Sequence, residues 1–202
     1  MPEIIRDVDQ GSEEWFKYRL GSVGGCSIDA VLAKGKGKTR KSLMYKLAGE
    51  ILSGIKTDSY TNQYMQRGQE YEDEARKYYE FISGNTVEQV ALIKSDIFGV
   101  HVSPDGLVGS DGGVEIKVRL PHVYVELLDT EKIETGYMRQ CQHFLWVTGR
   151  GWIDFINYCP EITANPMWKK RITPDPKIID QIEIELPIFL KELSEMVRRV
   201  GA

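Results

Sequence analysis

Two carboxylates and a lysine in the middle of the chain have the spacing of a metal-dependent hydrolytic site. Asp105 lies in the segment Ser-Pro-Asp-Gly-Leu, and Glu115 and Lys117 lie in Val-Glu-Ile-Lys-Val. Because Glu115 and Lys117 are two residues apart, in a strand they project from the same face. A hairpin would bring the carboxylate of Asp105 beside that of Glu115. Two carboxylates and the backbone carbonyl of Ile116 suit Mg²⁺, with Mn²⁺ as a second candidate.

A metal ion held by this group could polarise a phosphoryl oxygen and activate a water molecule. Lys117 could orient that water, help to deprotonate it, or offset charge on the phosphorus. The string itself is common, and the alternative interpretation is a solvated hairpin with a surface ion pair. Val114, Ile116 and Val118 alternate with the charged residues. This indicates that their face packs inward and that the carboxylates face a cleft or solvent.

Two polar clusters elsewhere could complete this site. Glu72 lies in the acidic segment 69–75, where it could support a metal or instead pair with Arg76 one helical turn later. Gln140 shares a predicted helix face with Phe144. It could hold a water or a scissile phosphate, or it could be the polar edge of a core helix.

The elements that must position these residues follow from the apolar pattern, which predicts a mixed α/β fold with a short, mostly central sheet flanked by helices. Ser12 and Thr135 are expected helix caps, and Gly84 and Gly149 are expected helix ends. The final helix, which contains Pro187, could be an oligomer contact or could cover the core. Strands are predicted at about 86–94, 98–102, 107–109, 114–119, 151–159 and 169–172.

The composition narrows the class of protein. The chain has 202 residues, 42% of them hydrophobic, and a formal net charge of −4. These values predict one domain over residues 1–202 and argue against a generic cationic nucleic-acid coat. No apolar run approaches the roughly 20 residues that cross a bilayer, and the cysteines form no CxxC pair. We therefore expect a cytoplasmic protein without membrane contact. The histidines show no metal-ligand spacing and are expected to be structural: His101, His122 and His143.

Six segments, in this order, resemble the lambda-exonuclease-like branch of the PD-(D/E)xK nucleases, also called the YqaJ-like viral recombinase family. The segments are WFKYRLGSVGG, RGQEYEDEARKYYE, SPDGL, VEIK, YMRQCQHFLWVTG and WIDFINYCP. The resemblance implies a restriction-endonuclease-like core. It also implies a Mg²⁺-dependent exonuclease that digests one strand of linear duplex DNA from its 5′ end. Such an enzyme releases mononucleotides and leaves a 3′ single-stranded overhang.

The resemblance has further implications for assembly and setting. Family members are ring-shaped homotrimers that enclose DNA, and the overhang passes to a single-strand annealing protein during homologous recombination. A phage or prophage gene expressed in a bacterial host is the implied source. A sequence-specific endonuclease with the same metal site is an alternative. A catalytically silent protein that binds DNA ends is another, although the presence of Asp105, Glu115 and Lys117 together argues against it.

Roles for individual residues are also implied by the resemblance. By position, Asp105 and Glu115 bind the metal, and Lys117 is the catalytic lysine. Glu72 matches the family's helix glutamate near the metals. Gln140 matches the glutamine of its fourth motif.

A pocket for the terminal 5′-phosphate is implied around Arg19 and Ser103, and an arginine fork suits a phosphate dianion. Cys26 stands where the family usually has a serine for this phosphate, and a thiol is a poor hydrogen-bond donor. Ser27 could take over, backbone N–H groups could suffice, or the preference for a 5′-phosphate could be weaker here. Met65 falls where the family places an apolar residue that wedges between the strands.

Basic residues are concentrated between Lys34 and Lys56, where seven bases accompany one acid. In this context we expect Lys34, Lys36, Lys38 and Arg40 to contact the DNA backbone. The alternative is an ordinary solvated loop and helix face. The uneven charge predicts a basic DNA-facing interior and an acidic exterior.

Overall fold

The computed structural model describes residues 2–33, 37–57 and 63–202, and for residues 63–65 it describes the main chain alone. The helices and strands follow in chain order: β1 (Glu3–Ile5), α1 (Glu13–Arg19), α2 (Gly25–Val31), α3 (Lys38–Ser53), α4 (Gln63–Ser83), β2 (Val87–Glu88), β3 (Leu92–Lys94), β4 (His101–Val102), β5 (Gly106–Val108), β6 (Gly112–Val118), α5 (Pro121–Thr130), α6 (Thr135–Thr148), β7 (Trp152–Tyr158), β8 (Met167–Ile172) and α7 (Pro176–Val200). The predicted mixed α/β class is confirmed.

A five-stranded sheet carries the predicted hairpin. Its strand order is β2-β5-β6-β7-β8. The β6 and β7 strands are parallel, and the other neighbours are antiparallel. A parallel pair needs a long crossover, which α5 and α6 provide between β6 and β7. The β8 strand lies at the edge of the sheet.

A second, three-stranded sheet has the order β1-β3-β4 and is not anticipated by the sequence pattern. The single strand predicted over 86–94 is divided between the two sheets. Val87–Glu88 pairs with β5, whereas Leu92–Lys94 pairs with β1. The small sheet also anchors the turn before α2, because Val23 forms a bridge with Val100.

Helix ends follow the expected caps at most positions. The Ser12 hydroxyl accepts a hydrogen bond from a backbone amide in the first turn of α1 at 3.2 Å. Gly84 and Gly149 follow α4 and α6 in the left-handed backbone region. Thr135 is the first residue of α6 rather than its cap. The α2 helix begins at Gly25, and its buried residues are Ile28 and Val31.

Helices cover both faces of the central sheet around β6. The α4 helix packs against the face that carries Val114 and Ile116, with Tyr79 in the same buried cluster. The α6 helix covers the opposite face, where a Cβ on Gly113 would lie 2.4 Å from Phe144. The charged residues of β6 therefore lie under a helix rather than on an open surface.

The α7 helix closes the core. Ile182, Leu186, Phe189 and Leu193 are buried in one cluster with residues of α2, α3 and α6. This face therefore covers the core and is not an oligomer contact, and Pro187 lies inside the helix. None of the helices in the described residues combines the length and apolar character that a membrane span requires.

Candidate active site

The β5–β6 hairpin places Asp105 against β6, as the spacing predicts. Gly106 pairs with Val114 in the antiparallel register. The Asp105 Oδ2 atom accepts a hydrogen bond from the Ile116 amide at 2.6 Å. This bond fixes the carboxylate beside the strand segment that carries Glu115.

Glu115 is the centre of a hydrogen-bonded group of side chains. Its Oε1 atom accepts hydrogen bonds from Lys117 Nζ at 2.5 Å and from Gln140 Nε2 at 2.6 Å. Glu115 is only 4% exposed, because α6, which carries Gln140, covers this face. A solvated hairpin is therefore excluded for Glu115. The structure brings Asp105, Glu115, Lys117 and Gln140 into one site.

Glu72 joins this region from α4, and its predicted ion pair with Arg76 is also present. Arg76 Nη2 donates to Glu72 Oε1 at 2.6 Å, and Nη1 donates to Asp73 Oδ1 at 3.2 Å. The same buried guanidinium donates from Nε to the backbone carbonyl of Asp105 at 3.3 Å. Arg76 thus links α4 to the turn that carries Asp105, so the ion pair and a place near the carboxylates are compatible.

The charged groups of the site are close enough to affect one another. Burial, together with Glu115 and Glu72, raises the pKa of Asp105 well above its ordinary value. Burial also raises the pKa of Glu72, although Arg76 opposes the shift. Burial alone would lower the pKa of Lys117, but Glu115 and Asp105 outweigh it and the pKa is raised. Lys117 is therefore an ammonium ion among crowded carboxylates.

The donor set suits a hard divalent cation. Asp105 and Glu115 supply carboxylate oxygens, and the hydrogen bonds to Glu115 from described residues all fall on Oε1. A bound cation would stabilise the charged form of such crowded carboxylates. No group of three or more His, Cys, Asp or Glu side chains that could hold a metal occurs within the described ranges. The Ile116 carbonyl stays a predicted ligand, and water would supply the remaining ones.

A cavity of about 910 Å³ is lined by several residues that are predicted to bind a phosphate. Arg19, Cys26 and Ser27 line this cavity, and so does Glu72. Glu72 is near enough to Glu115 for that carboxylate to raise its pKa. The cavity therefore extends from Arg19 to Glu72, which is near the carboxylate site, although Asp105, Glu115, Lys117 and Gln140 are not among the residues that line it.

Arg19 is held in the cavity wall by two neighbours. Its guanidinium lies over the Trp15 ring, 3.8 Å from the ring centroid. Its Nε atom donates to His101 Nε2 at 3.2 Å. Burial lowers the pKa of Arg19, and Cys26 and Glu50 oppose this change. Because arginine starts from so high a pKa, the side chain stays charged and presents a fixed cation to the cavity.

Cys26 and Ser27 line the cavity, whereas the hydroxyl of Ser103, also predicted for the phosphate pocket, is buried. Cys26 is exposed and lines the cavity beside Ser27. The Oγ atom of Ser103 is buried and has no hydrogen-bond partner among the described residues. A buried hydroxyl of this kind is a group that a bound ligand could satisfy.

The predicted DNA contacts fall partly outside the described residues. Lys38 is exposed at the start of α3. Lys34, Lys36 and the side chain of Met65 lie outside the description, so their roles stay predictions.

Arg40 requires a correction. Its side chain is buried, with 6% of the residue exposed, because it pairs with Glu192 of α7 at 2.5 Å and lies over the Phe189 ring. A guanidinium committed to this packing is not presented to DNA. We therefore assign Arg40 to the contact between α3 and α7 instead of to DNA binding.

The sequence interpretation assigns no binding role to several residues of the cavity. Ser22, Gly24 and His101 line it, and Lys46 and Lys56 add basic groups to it. The two lysines belong to the basic stretch, which was a usable signal. Nothing local marks Ser22 or His101, whose mutual contact spans 79 positions of sequence.

Comparison with known proteins agrees with this geometry. The sequence profile of the YqaJ-like viral recombinase domain matches residues 14–151, which is more than half of the chain. The chain belongs to the YqaJ-like viral recombinase family. The matched span of this YqaJ-like protein includes Arg19, Glu72, the β5–β6 hairpin and Gln140. A comparison with curated protein sequences gives no match.

Solved structures extend the similarity of this YqaJ-like protein to nearly its full length. It is similar to the alkaline exonuclease LHK-Exo from Laribacter hongkongensis, with 35% identity over 94% of this chain and 96% of that chain and a TM-score of 0.86. The TM-score is 0.87 against LHK-Exo in complex with dAMP. A phage related exonuclease from Haemophilus somnus 129PT shares the fold, with 17% identity over 89% of this chain and 96% of that chain and a TM-score of 0.67. The predicted fold is confirmed, and these similarities support a nuclease.

Proposed function

We propose that this YqaJ-like protein is a divalent-metal-dependent exonuclease that digests one strand of linear duplex DNA from its 5′ end. The observation that carries the proposal is the cavity lined both by Arg19 and by Glu72, whose carboxylate is near that of Glu115. A terminal phosphate bound at Arg19 would place the first phosphodiester bonds of that strand near the carboxylates. The similarity to LHK-Exo, an alkaline exonuclease, supports the same class of reaction.

The residues of the carboxylate site have distinct tasks in this reaction. Mg²⁺ or Mn²⁺ bound by Asp105, Glu115 and the Ile116 carbonyl would polarise the scissile phosphate and activate the attacking water. The ammonium group of Lys117 lies beside Glu115, where it can offset the negative charge that develops on the phosphate. Gln140 holds Glu115 through Oε1 and so fixes the direction of the second carboxylate oxygen.

The phosphate pocket would give the reaction its direction. Arg19 would bind the terminal phosphate through charge-assisted hydrogen bonds, with Cys26 and Ser27 lining the same cavity. Ser103 is not among the residues that line this cavity, so its contact with the phosphate stays a prediction. Release of a mononucleotide leaves a new 5′-phosphate that the same pocket accepts. LHK-Exo is known in complex with dAMP, which supports a mononucleotide product.

We also propose the assembly and the partner that the family implies. A homotrimeric ring would keep the enzyme on its DNA, and the 3′ overhang would pass to a single-strand annealing protein. Lys38, which is exposed on α3, would contact the DNA backbone. Light scattering at micromolar concentration tests the ring: a trimer supports it, and a persistent monomer contradicts it.

The activity is tested with end-labelled linear duplex and closed circular duplex, each incubated with Mg²⁺. We expect the wild-type protein to release mononucleotides from the linear DNA alone. Lys117→Ala should lower that rate by about 10²-fold or more, because it removes a charge that stabilises the transition state. Lys191→Ala, which changes an exposed lysine on α7, is the matched control and should retain the wild-type rate.

The other outcomes separate the alternatives. Nicking or linearisation of the circle would contradict the exonuclease and favour the endonuclease. Binding of linear ends without degradation, in the wild type as in Lys117→Ala, would favour the catalytically silent end-binding protein.

A further inference from the structure

His101 is a buried residue of β4 that the proposed reaction does not yet use. It is 3% exposed, and it contributes to the wall of the cavity that holds Arg19. Its Nε2 atom lies 3.2 Å from Arg19 Nε, and its Nδ1 atom lies 2.8 Å from Ser22 Oγ. Both ring nitrogens are therefore engaged with side chains that line the same cavity.

The chemistry of arginine fixes the tautomer of His101. A guanidinium has only donors, so His101 Nε2 must accept the bond from Arg19 Nε with its lone pair. The ring proton of the neutral imidazole is then on Nδ1, which donates to Ser22 Oγ. Because the Ser22 oxygen accepts this bond, its own proton is available to a further acceptor. Ser22 lines the cavity, so that acceptor can be a bound anion.

The surroundings keep the imidazole neutral. Burial lowers the pKa of His101 to about 3, and the positive charge of Arg19 and the ring of His143 act in the same direction. His143 on α6 donates from Nε2 to the His101 carbonyl at 3.1 Å. Cys26 and Glu50 of α3 also act on the guanidinium of Arg19, and both raise its pKa. At neutral pH His101 therefore accepts from Arg19 and does not repel it.

The turn before α2 is shaped to fit the imidazole. A Cβ on Gly24 would lie 2.7 Å from His101 Nε2, so only glycine leaves room for the ring at this position. The main chain is fixed there as well, because the His101 amide donates to the Val23 carbonyl at 3.0 Å. The ring, the turn and Arg19 thus form one packed unit.

We propose that His101 is a positioning residue that holds Arg19 through Nε and Ser22 through its hydroxyl oxygen, so that both donate to a terminal 5′-phosphate. The inference rests on the proposed function and adds Ser22 as a phosphate-binding hydroxyl. It also accounts for Cys26, because Ser22 supplies a donor that the thiol supplies poorly. Among the described residues, the terminal nitrogens of Arg19 have no hydrogen-bond partner, so they remain for the phosphate.

The test is the preference for a phosphorylated end, defined as the ratio of Kd values for 5′-hydroxyl and 5′-phosphate duplexes. Fluorescence anisotropy with EDTA measures Kd without metal-dependent cleavage. His101→Leu, which removes both contacts, should lower the preference about tenfold or more, the effect of losing charged hydrogen bonds. Ser22→Ala should lower it by several fold. Exposed His122→Leu is the matched control and should keep the wild-type preference.

A partial replacement separates the contacts. The side-chain oxygen of Gln can replace the Nε2 acceptor for Arg19 without replacing the Nδ1 donor to Ser22. His101→Gln should therefore keep more of the preference than His101→Leu, and combining His101→Gln with Ser22→Ala should cost no more than Ser22→Ala alone. Thermal unfolding checks that each variant is folded, and Ser22→Ala tests the proposal even if a His101 variant is not.

The outcomes distinguish this inference from the proposed function. If Arg19→Ala abolishes the preference but Ser22→Ala and His101→Leu do not, the inference is wrong and the exonuclease proposal stands. An equal loss of affinity for both duplexes would show a merely structural role and would overturn the inference. A wild-type protein without any preference would also overturn it, whereas failure of the exonuclease proposal is detected separately by the cleavage assay with Mg²⁺.

Discussion

Glu115 uses its two carboxylate oxygens differently. Oε1 accepts hydrogen bonds from both Lys117 and Gln140, while Oε2 accepts none from the described residues. A carboxylate fixed through one oxygen can direct the other toward a cation at little further cost in conformational entropy. Gln140 is therefore expected to act on the metal through Glu115.

Replacing Gln140 tests this arrangement. Gln140→Leu should weaken the response to Mg²⁺, lowering the apparent metal affinity or the rate by about 10- to 100-fold, as is usual when a hydrogen bond to a metal ligand is lost. The measurement is the cleavage rate of linear duplex as a function of Mg²⁺ concentration. Gln181→Leu, at an exposed position on α7, is the control. An unchanged Mg²⁺ dependence in Gln140→Leu would contradict the assigned role.

At the scale of elements, one side chain joins α4 to the hairpin. Arg76 contacts Glu72 and Asp73 on its own helix and the Asp105 carbonyl on the turn before β5. The helix brings Glu72 toward the carboxylates, and the guanidinium keeps it there. Stability and site geometry therefore depend on the same residue.

Removal of this guanidinium should destabilise the fold. Arg76→Leu leaves a buried carbonyl and a carboxylate without their donor, which should lower the free energy of unfolding by about 2 kcal/mol. Lys77→Leu is the control, because Lys77 pairs with the same Asp73 on the open surface and such pairs contribute little. Urea denaturation measures both, and equal losses of stability would count against a specific role for Arg76.

Local elements were predictable from the sequence, and long-range pairing was not. The hairpin follows from turn residues and from the spacing of Asp105 and Glu115, and helix ends follow from Ser12, Gly84 and Gly149. The division of 86–94 between two sheets depends on distant partners, since the short β3 pairs with β1 near the N-terminus. Strands of two or three residues carry too little pattern to specify such pairing.

The same limit applies to the candidate site. Asp105, Glu115 and Lys117 lie within a short span, so strand geometry predicts their convergence. The contact of Arg19 with His101 spans 82 positions, and no local pattern reports it. Arg40 shows the opposite failure. Its place in a basic stretch predicts a DNA contact, whereas its side chain is buried against α7.

At the scale of the whole molecule, buried histidines couple stability to pH. Burial lowers the pKa of His143 to about 4 and that of His101 to about 3. Below the ordinary histidine pKa of about 6.5, the unfolded chain binds protons that the folded protein excludes. The contribution of the two histidines to stability is therefore fully present above about pH 6.5, and it is lost progressively as the pH falls toward their pKa values in the folded protein.

His143→Gln should make the pH dependence shallower. For each buried histidine the wild-type protein should lose about 1.4 kcal/mol of unfolding free energy per pH unit in the range below 6.5. The variant lacks one of these contributions. Urea denaturation at several values between pH 7.5 and pH 4.5 measures both slopes, with exposed His122→Gln as the control. Parallel curves for wild type and His143→Gln would contradict the assignment of a buried neutral imidazole.

Direction of digestion is the most direct test of the proposal that a phosphate pocket at Arg19 presents the 5′ end of a strand to the carboxylate site. A 5′-phosphorylated linear duplex carries one label at the 5′ end and a different label at the 3′ end of the same strand, and products are followed over time with Mg²⁺. The account predicts that the 5′ label appears as a mononucleotide from the first time points, while the 3′ label stays on a progressively shorter strand. Release of the 3′ label first, or internal fragments that carry either label, would contradict it.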